Sequence, residues 1–138
     1  MQPVNLQPLN VLLVAPRERI GQGILSRLHT ISSMLVVGQI ESLAEHSPPV
    51  AGDEAGVIVV HGGDLDGFEY DGLVQVLRRQ PDLTIAVVAS RYRRGALDRF
   101  YQAGVRSFVT EDVGLVGLLD ALVTIRTHPH LFLVRMGA

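Results

Sequence analysis

Two kinds of run alternate along the 138 residues. Short, largely apolar stretches occur at Val11–Ala15, Met34–Ile40, Val57–Val60, Ile85–Ala89 and Ser107–Val109. Such stretches predict parallel strands buried on both faces, because a strand with no solvent side needs no polar alternation. Between them, apolar residues recur at helical spacing. Ile20, Ile24, Leu25 and Leu28 mark one face of a helix from Arg17 to about Thr30, weakened by Gly21 and Gly23. Ser42 caps a short helix from Leu43 to about His46, which Pro48-Pro49 ends. A third helix runs from Gly72 to Gln80, with Leu73, Val76 and Leu77 inward and Arg78, Arg79 and Gln80 toward water. A fourth runs from Arg94 to Ala103 and closes on Gly104, a residue suited to a left-handed cap. The last covers Gly114 to about Ile125.

Five strands alternating with five helices through short loops predict an α/β fold, a parallel sheet covered on both faces. No repeat, low-complexity tract or linker interrupts the pattern. Residues 1–9 read as an N-terminal extension, 10–126 as one domain, and 127–138 as an apolar C-terminal tail. Within the tail, Leu131-Phe132-Leu133-Val134 should not stand in water. It has three outcomes: packing on the same domain, pairing as an extra strand, or docking on another subunit.

Composition narrows the chemistry. Hydrophobic residues make up 47% and charged residues 19%, with a net charge of −2, so there is no general electrostatic case for nucleic acid or an anionic membrane. The absence of cysteine removes disulfides, thiolate metal sites and cysteine nucleophiles. The start, MQPVNLQPLN, lacks the basic and long apolar segments of a signal peptide, and no apolar run approaches the ~20 residues that span a bilayer. A cytoplasmic domain is expected.

The stretch VIVVHGGDLDG, residues 57 to 67, holds the candidate chemistry, since open α/β sheets place their sites at the carboxyl ends of the strands. His61 there could accept a phosphoryl group, or stand as a neutral histidine hydrogen-bonded at a strand end. No acidic orienting partner lies beside it in sequence.

Three segments resemble the receiver domain of bacterial two-component response regulators, in the subtype that precedes LuxR-type DNA-binding domains. They are NVLLVAPRERIGQGILSRL, MLVVGQI and QAGVRSFVTED, the last resembling the A-G-A-x-G-Y-L-x-K-D segment of that subtype. The resemblance covers about residues 10 to 126 and implies a five-stranded doubly wound sheet of order 2-1-3-4-5. It also implies a phosphorylation pocket that this chain has altered throughout. The acidic pair that holds Mg²⁺ is replaced by Ala15-Pro16. The phosphoacceptor aspartate is replaced by His61, the hydroxyl residue of the fourth strand by Ala89, and the lysine after the fifth by Glu111. Aspartyl phosphorylation needs a hard cation held by oxygens, a carboxylate nucleophile and a cationic clamp. The expected reading is a degenerate receiver, a pseudo-receiver without Mg²⁺ or other cofactor and without turnover, which acts by binding a protein partner or a second copy of itself.

Two alternatives accompany it. Arg17, Arg19, His61, Gly62, Gly63, Ser90 and Arg91 would converge on one sheet edge and could bind a small anion or nucleotide, Gly62 and Gly63 letting the backbone approach it. Alternatively, Asp64 or Asp66 serves as phosphoacceptor in a conventional response regulator. The partner face of the family implies Arg91, Tyr92, Arg93, Arg94, Arg99, Tyr101 and Phe108, with Phe108 at the aromatic switch position. Arg91-Tyr92-Arg93-Arg94 alone is weak support for nucleic acid, so DNA is expected only through a separate domain. His128 and His130 around a proline make a poor metal site. No membrane partner is expected.

Overall fold

The computed structural model describes residues 9–15, 27–28, 34–40, 56–128 and 130–137. The strands are β1 (Leu9–Val14), β2 (Met34–Ile40), β3 (Val57–Gly63), β4 (Ile85–Ala89), β5 (Ser107–Thr110) and β6 (Leu133–Arg135). The helices are α1 (Tyr70–Arg79), α2 (Ala96–Ala103) and α3 (Gly114–Thr127), with a 3₁₀ turn at Glu111–Val113 before α3. Every strand pairing is parallel, in the order β2-β1-β3-β4-β5-β6. The first five strands therefore take the expected order. The expected sheet was one strand short, because the tail after α3 pairs with the free edge of β5.

Alternation along the buried strands divides the core into two layers. Leu12, Val14, Ile58, Val60, Ile85, Val87 and Phe108 face α1 and α2. Val11, Leu13, Val57, Val59, Ala86, Val88 and Val109 face α3 and Leu28. Helices on both faces make the fold doubly wound. The inward residues of α1 are Leu73, Val76 and Leu77, as its spacing predicts.

Where boundaries differ, local chemistry accounts for it. Helix α2 starts two residues later than expected, after Gly95, whose φ of 84° breaks the helical path. Gly104, at φ 99°, caps its end: its N–H bonds to the carbonyl of Tyr101 and that of Val105 to Phe100. Helix α1 begins two residues earlier than expected, at Tyr70. Strand β3 runs on through His61, Gly62 and Gly63. The expected helices at 17–30 and 43–46 lie outside the described residues, except for Arg27 and Leu28 in a 3₁₀ turn.

Candidate functional site

The carboxyl ends of β1, β3, β4 and β5 are aligned by their registers. Val14 pairs with Val60, so Ala15 follows β1 level with His61 on β3. His61 pairs with Val88 and Gly63 with Ala89, leaving Gly62 as the extra residue of a bulge. Ala89 in turn pairs with Thr110, after which Glu111 opens the 3₁₀ turn. The sheet thus brings Ala15, His61, Ala89 and Glu111 to one edge. Pro16 lies outside the described residues.

Of the four aligned residues, Glu111 alone carries a carboxylate. A hard divalent cation needs oxygen ligands. The Ala15 side chain is a buried methyl group, and a partly buried imidazole stands at the β3 end. Among the described residues, no group of three or more histidine and acidic side chains is arranged to hold a metal ion.

The loop after β3 is tied to itself and to its neighbour. The Ser90 N–H and hydroxyl both donate to the Gly63 carbonyl, at 2.7 and 3.0 Å. The Arg93 Nε donates to the Asp64 carbonyl at 2.9 Å. The Asp64 carboxylate accepts the Asp66 N–H at 2.8 Å. That backbone bond, helped by Arg93 and Arg91, holds the Asp64 carboxyl below its ordinary range. Asp64 is consequently a turn-forming aspartate, and both it and Asp66 are exposed beyond the strand end. Leu65, between them, is buried with φ 68°. A Cβ at Gly62 would lie 2.9 Å from Leu65 Cδ2 and 3.2 Å from Val87 Cγ1. The close approach that glycine allows here is therefore made by the chain's own Leu65. Gly63 meets a different need, its φ of 59°.

Of the residues considered for anion binding, His61, Gly62, Gly63, Ser90 and Arg91 do converge at this edge. Arg17 and Arg19 lie outside the described residues. The Ser90 donors are spent on Gly63, which leaves exposed Arg91 as the cation whose side chain faces solvent.

On the expected partner face, one residue is corrected. Phe108 is fully buried, stacked on Phe100 at 5.6 Å and meeting Tyr92 edge-on at 6.3 Å. Its position in β5 points it into the α1/α2 layer, so it cannot touch a partner. Tyr92 and Tyr101 are exposed, as are Arg91, Arg93, Arg94 and Arg99. Arg99 lies over the Tyr70 ring at 3.6 Å, and Tyr101 meets Phe132 edge-on at 5.5 Å.

Sequence reasoning missed the cluster that closes β5. Thr110 donates its hydroxyl to the Asp112 carboxylate, and the Gly137 N–H bonds to Thr110 Oγ1 and Asp112 Oδ1, each at 3.1 Å. The Thr110 hydroxyl, then the Gly137 N–H, holds the Asp112 carboxyl below its ordinary range. Thr110-Glu111-Asp112 carried the only available signal: a hydroxyl two residues before a carboxylate is a local bonding pattern. Nothing in sequence shows that a residue 25 positions further on completes it.

No family model and no curated protein matches the sequence. Receiver domains and response regulators are among the solved structures that resemble it. The isolated receiver domain of RcsB from Salmonella enterica serovar Typhimurium, solved with the phosphomimetic BeF₃⁻, superposes with a TM-score of 0.70 at 19% identity, over 93% of this chain and 94% of that one. A Burkholderia pseudomallei protein described as related to pilus assembly gives 0.73 at 22% identity, over 92% and 96%. A longer Salmonella typhimurium RcsB chain gives 0.71 at 19% identity, and this chain spans 62% of it. The fold is thus that of the response-regulator receiver domain, LuxR and NarL types among its neighbours.

Proposed function

We propose that this chain is a degenerate receiver-fold signalling domain that works by protein–protein contact, with itself or a partner, and is not switched by aspartyl phosphorylation. The observation that carries the reading is the set of groups at the strand ends. The registers put Ala15 level with His61 and Ala89 next to Thr110, with Glu111 following; the family resemblance makes this last position that of the cationic clamp. A carboxylate nucleophile at the β3 end would need a cation and a clamp to stabilise the transferring phosphoryl group, and these side chains supply neither. Asp64 does not substitute, since its carboxylate turns back onto its own loop. The proposal includes no Mg²⁺, no cofactor and no turnover.

The pocket-sensor alternative has support from Arg91, with His61 and Gly63 beside it, but the inward bonding of Ser90 favours a closed loop over an open anion cradle. A receiver fold also occurs in the Burkholderia protein described as related to pilus assembly, so DNA-binding regulators are not its only setting. Among the described residues, no helix is long and apolar enough to cross a membrane.

Incubation with acetyl phosphate and Mg²⁺, followed by intact-mass measurement, tests the reading. The expected result is an unchanged mass and an unchanged sedimentation profile. A Mg²⁺-dependent phosphoryl adduct would overturn it.

A further inference from the structure

We infer that residues 130–137 form a releasable strap over the β5 edge, and that two copies of this chain exchange the strap reciprocally. This deepens the self-association half of the proposed function and rests on it. Whether the carboxyl edge accepts a phosphoryl group is a separate matter, which the mass measurement decides.

The strap contains a short strand at the edge of the sheet. Strand β6 has three residues, and each is at least partly exposed, whereas β5 is buried throughout. Its register runs Ser107 to Leu133, Phe108 to Val134 and Val109 to Arg135. Beyond that ladder, Phe132 and Val134 pack against one core layer, Leu133 packs against the other, Phe132 meets Tyr101, and polar contacts add to these. The Leu133 N–H donates to the Arg106 carbonyl, and the Ser107 hydroxyl to the Leu133 carbonyl. Arg135 pairs with Asp120 on α3, both side chains about half exposed, a setting in which an ion pair contributes little. At the far end, Gly137 is bonded to Thr110 and Asp112. Short, half-exposed elements at the edge of a structure open well before the whole domain unfolds.

What opening uncovers decides the occupant. Ser107, Phe108 and Val109 form a buried row, and a bare row of N–H and C=O groups at a sheet edge is a template for another strand. The strand that fits is β6 of a second copy. It brings Leu133 to Ser107 and a glycine to the Thr110–Asp112 pair, where a Cβ would lie 2.3 Å from the Asp112 carboxylate. A donor strand with a side chain at the Gly137 position would displace that carboxylate. The described residues between β6 and α3, from His130 to Phe132, are where the strap departs. Exchange of an identical element reuses every native contact, so it closes into a dimer and does not propagate.

The test uses the full chain. In the wild type, hydrogen exchange at Leu133–Arg135 is expected to be more than about tenfold faster than at Ile85–Ala89. The T110V/D112A variant removes the anchor and should speed strap exchange about a further tenfold, in line with the loss of an ordinary hydrogen bond. Two chains carrying Ser107→Cys and Leu133→Cys separately are then mixed, in wild-type and anchor-variant backgrounds. The chain has no native cysteine, and the two positions are register partners. Disulfide-linked heterodimer that increases with protein concentration, and more so in the anchor variant, is the expected result. Strap amides as protected as those of β4, or a mixture that yields no cross-link at any concentration, would overturn the inference.

Discussion

Gly62→Ala probes the bulge at the end of β3, the feature that sets the candidate site's shape. The new methyl would sit 2.9 Å from Leu65 Cδ2 and 3.2 Å from Val87 Cγ1. Both neighbours are buried, Leu65 with 5% of its surface accessible and Val87 with none, so the contact cannot be relieved into solvent. Overpacking of this kind costs about 1–3 kcal/mol. At roughly 4 °C per kcal/mol for a domain of this size, the melting temperature should fall by about 4–12 °C. Leu65 holds its place for a reason that can be weighed. Its left-handed backbone costs about 1–2 kcal/mol, and burial of its side chain offsets that with about 1.5–3 kcal/mol. Leu65→Ala should therefore be destabilising on its own, and it removes the atom nearest the new methyl. In a double-mutant cycle by urea unfolding, Gly62→Ala should cost at least about 1 kcal/mol less in the Leu65→Ala background than in the wild type. Simple additivity, or a Gly62→Ala midpoint equal to wild type, would refute the packing argument and reopen the glycine as a place for ligand approach.

Two further outcomes follow from the same geometry. Phe108→Ala should destabilise the domain by about 3–5 kcal/mol, since the ring is fully buried on Phe100; chemical denaturation checks this, and a stable variant that merely lost partner binding would contradict the assignment of Phe108 to the core. The Asp112 carboxyl is held below its ordinary value of 3.8 by Thr110 and Gly137, so its contribution is fully present above that value and is lost as pH falls through the lower, folded one. The difference in melting temperature between wild type and Asp112→Asn should hold near neutral pH and shrink on acidification below the ordinary carboxylate range, whereas a difference independent of pH would contradict the bonding described for Asp112.

Much of the fold was legible because burial on both faces leaves an unmistakable mark. Val11–Ala15, Val57–Val60 and Ile85–Ala89 carry no polar position, as a central parallel strand buried on both faces allows. Gly104 announced the end of α2 through the one backbone conformation that favours glycine. The tail was harder. Leu131–Val134 signalled that burial was required, yet three outcomes satisfied it equally, and the choice rests on the long-range pairing of Ser107 with Leu133. The extension of β3 through His61-Gly62-Gly63 was missed because glycine has low strand propensity and because a bulge depends on the partner strand. Of the site, the residues proposed as replacements, Ala15, His61, Ala89 and Glu111, came from the resemblance of the sequence to the receiver family. The inward bonding of Ser90 and the Thr110–Asp112–Gly137 cluster could not be read from the sequence, since each joins residues whose proximity only the folded sheet creates.

The central claim is that this receiver fold lacks a working phosphoryl site, and beryllofluoride with Mg²⁺ tests it most directly. A ligand present at about a hundred times its dissociation constant adds roughly 2.7 kcal/mol to stability, a shift easily resolved by thermal unfolding of a domain this size. The account predicts no change in melting temperature with Mg²⁺ and beryllofluoride together. A stabilisation that requires both, and that disappears in Asp64→Ala or His61→Ala, would contradict it.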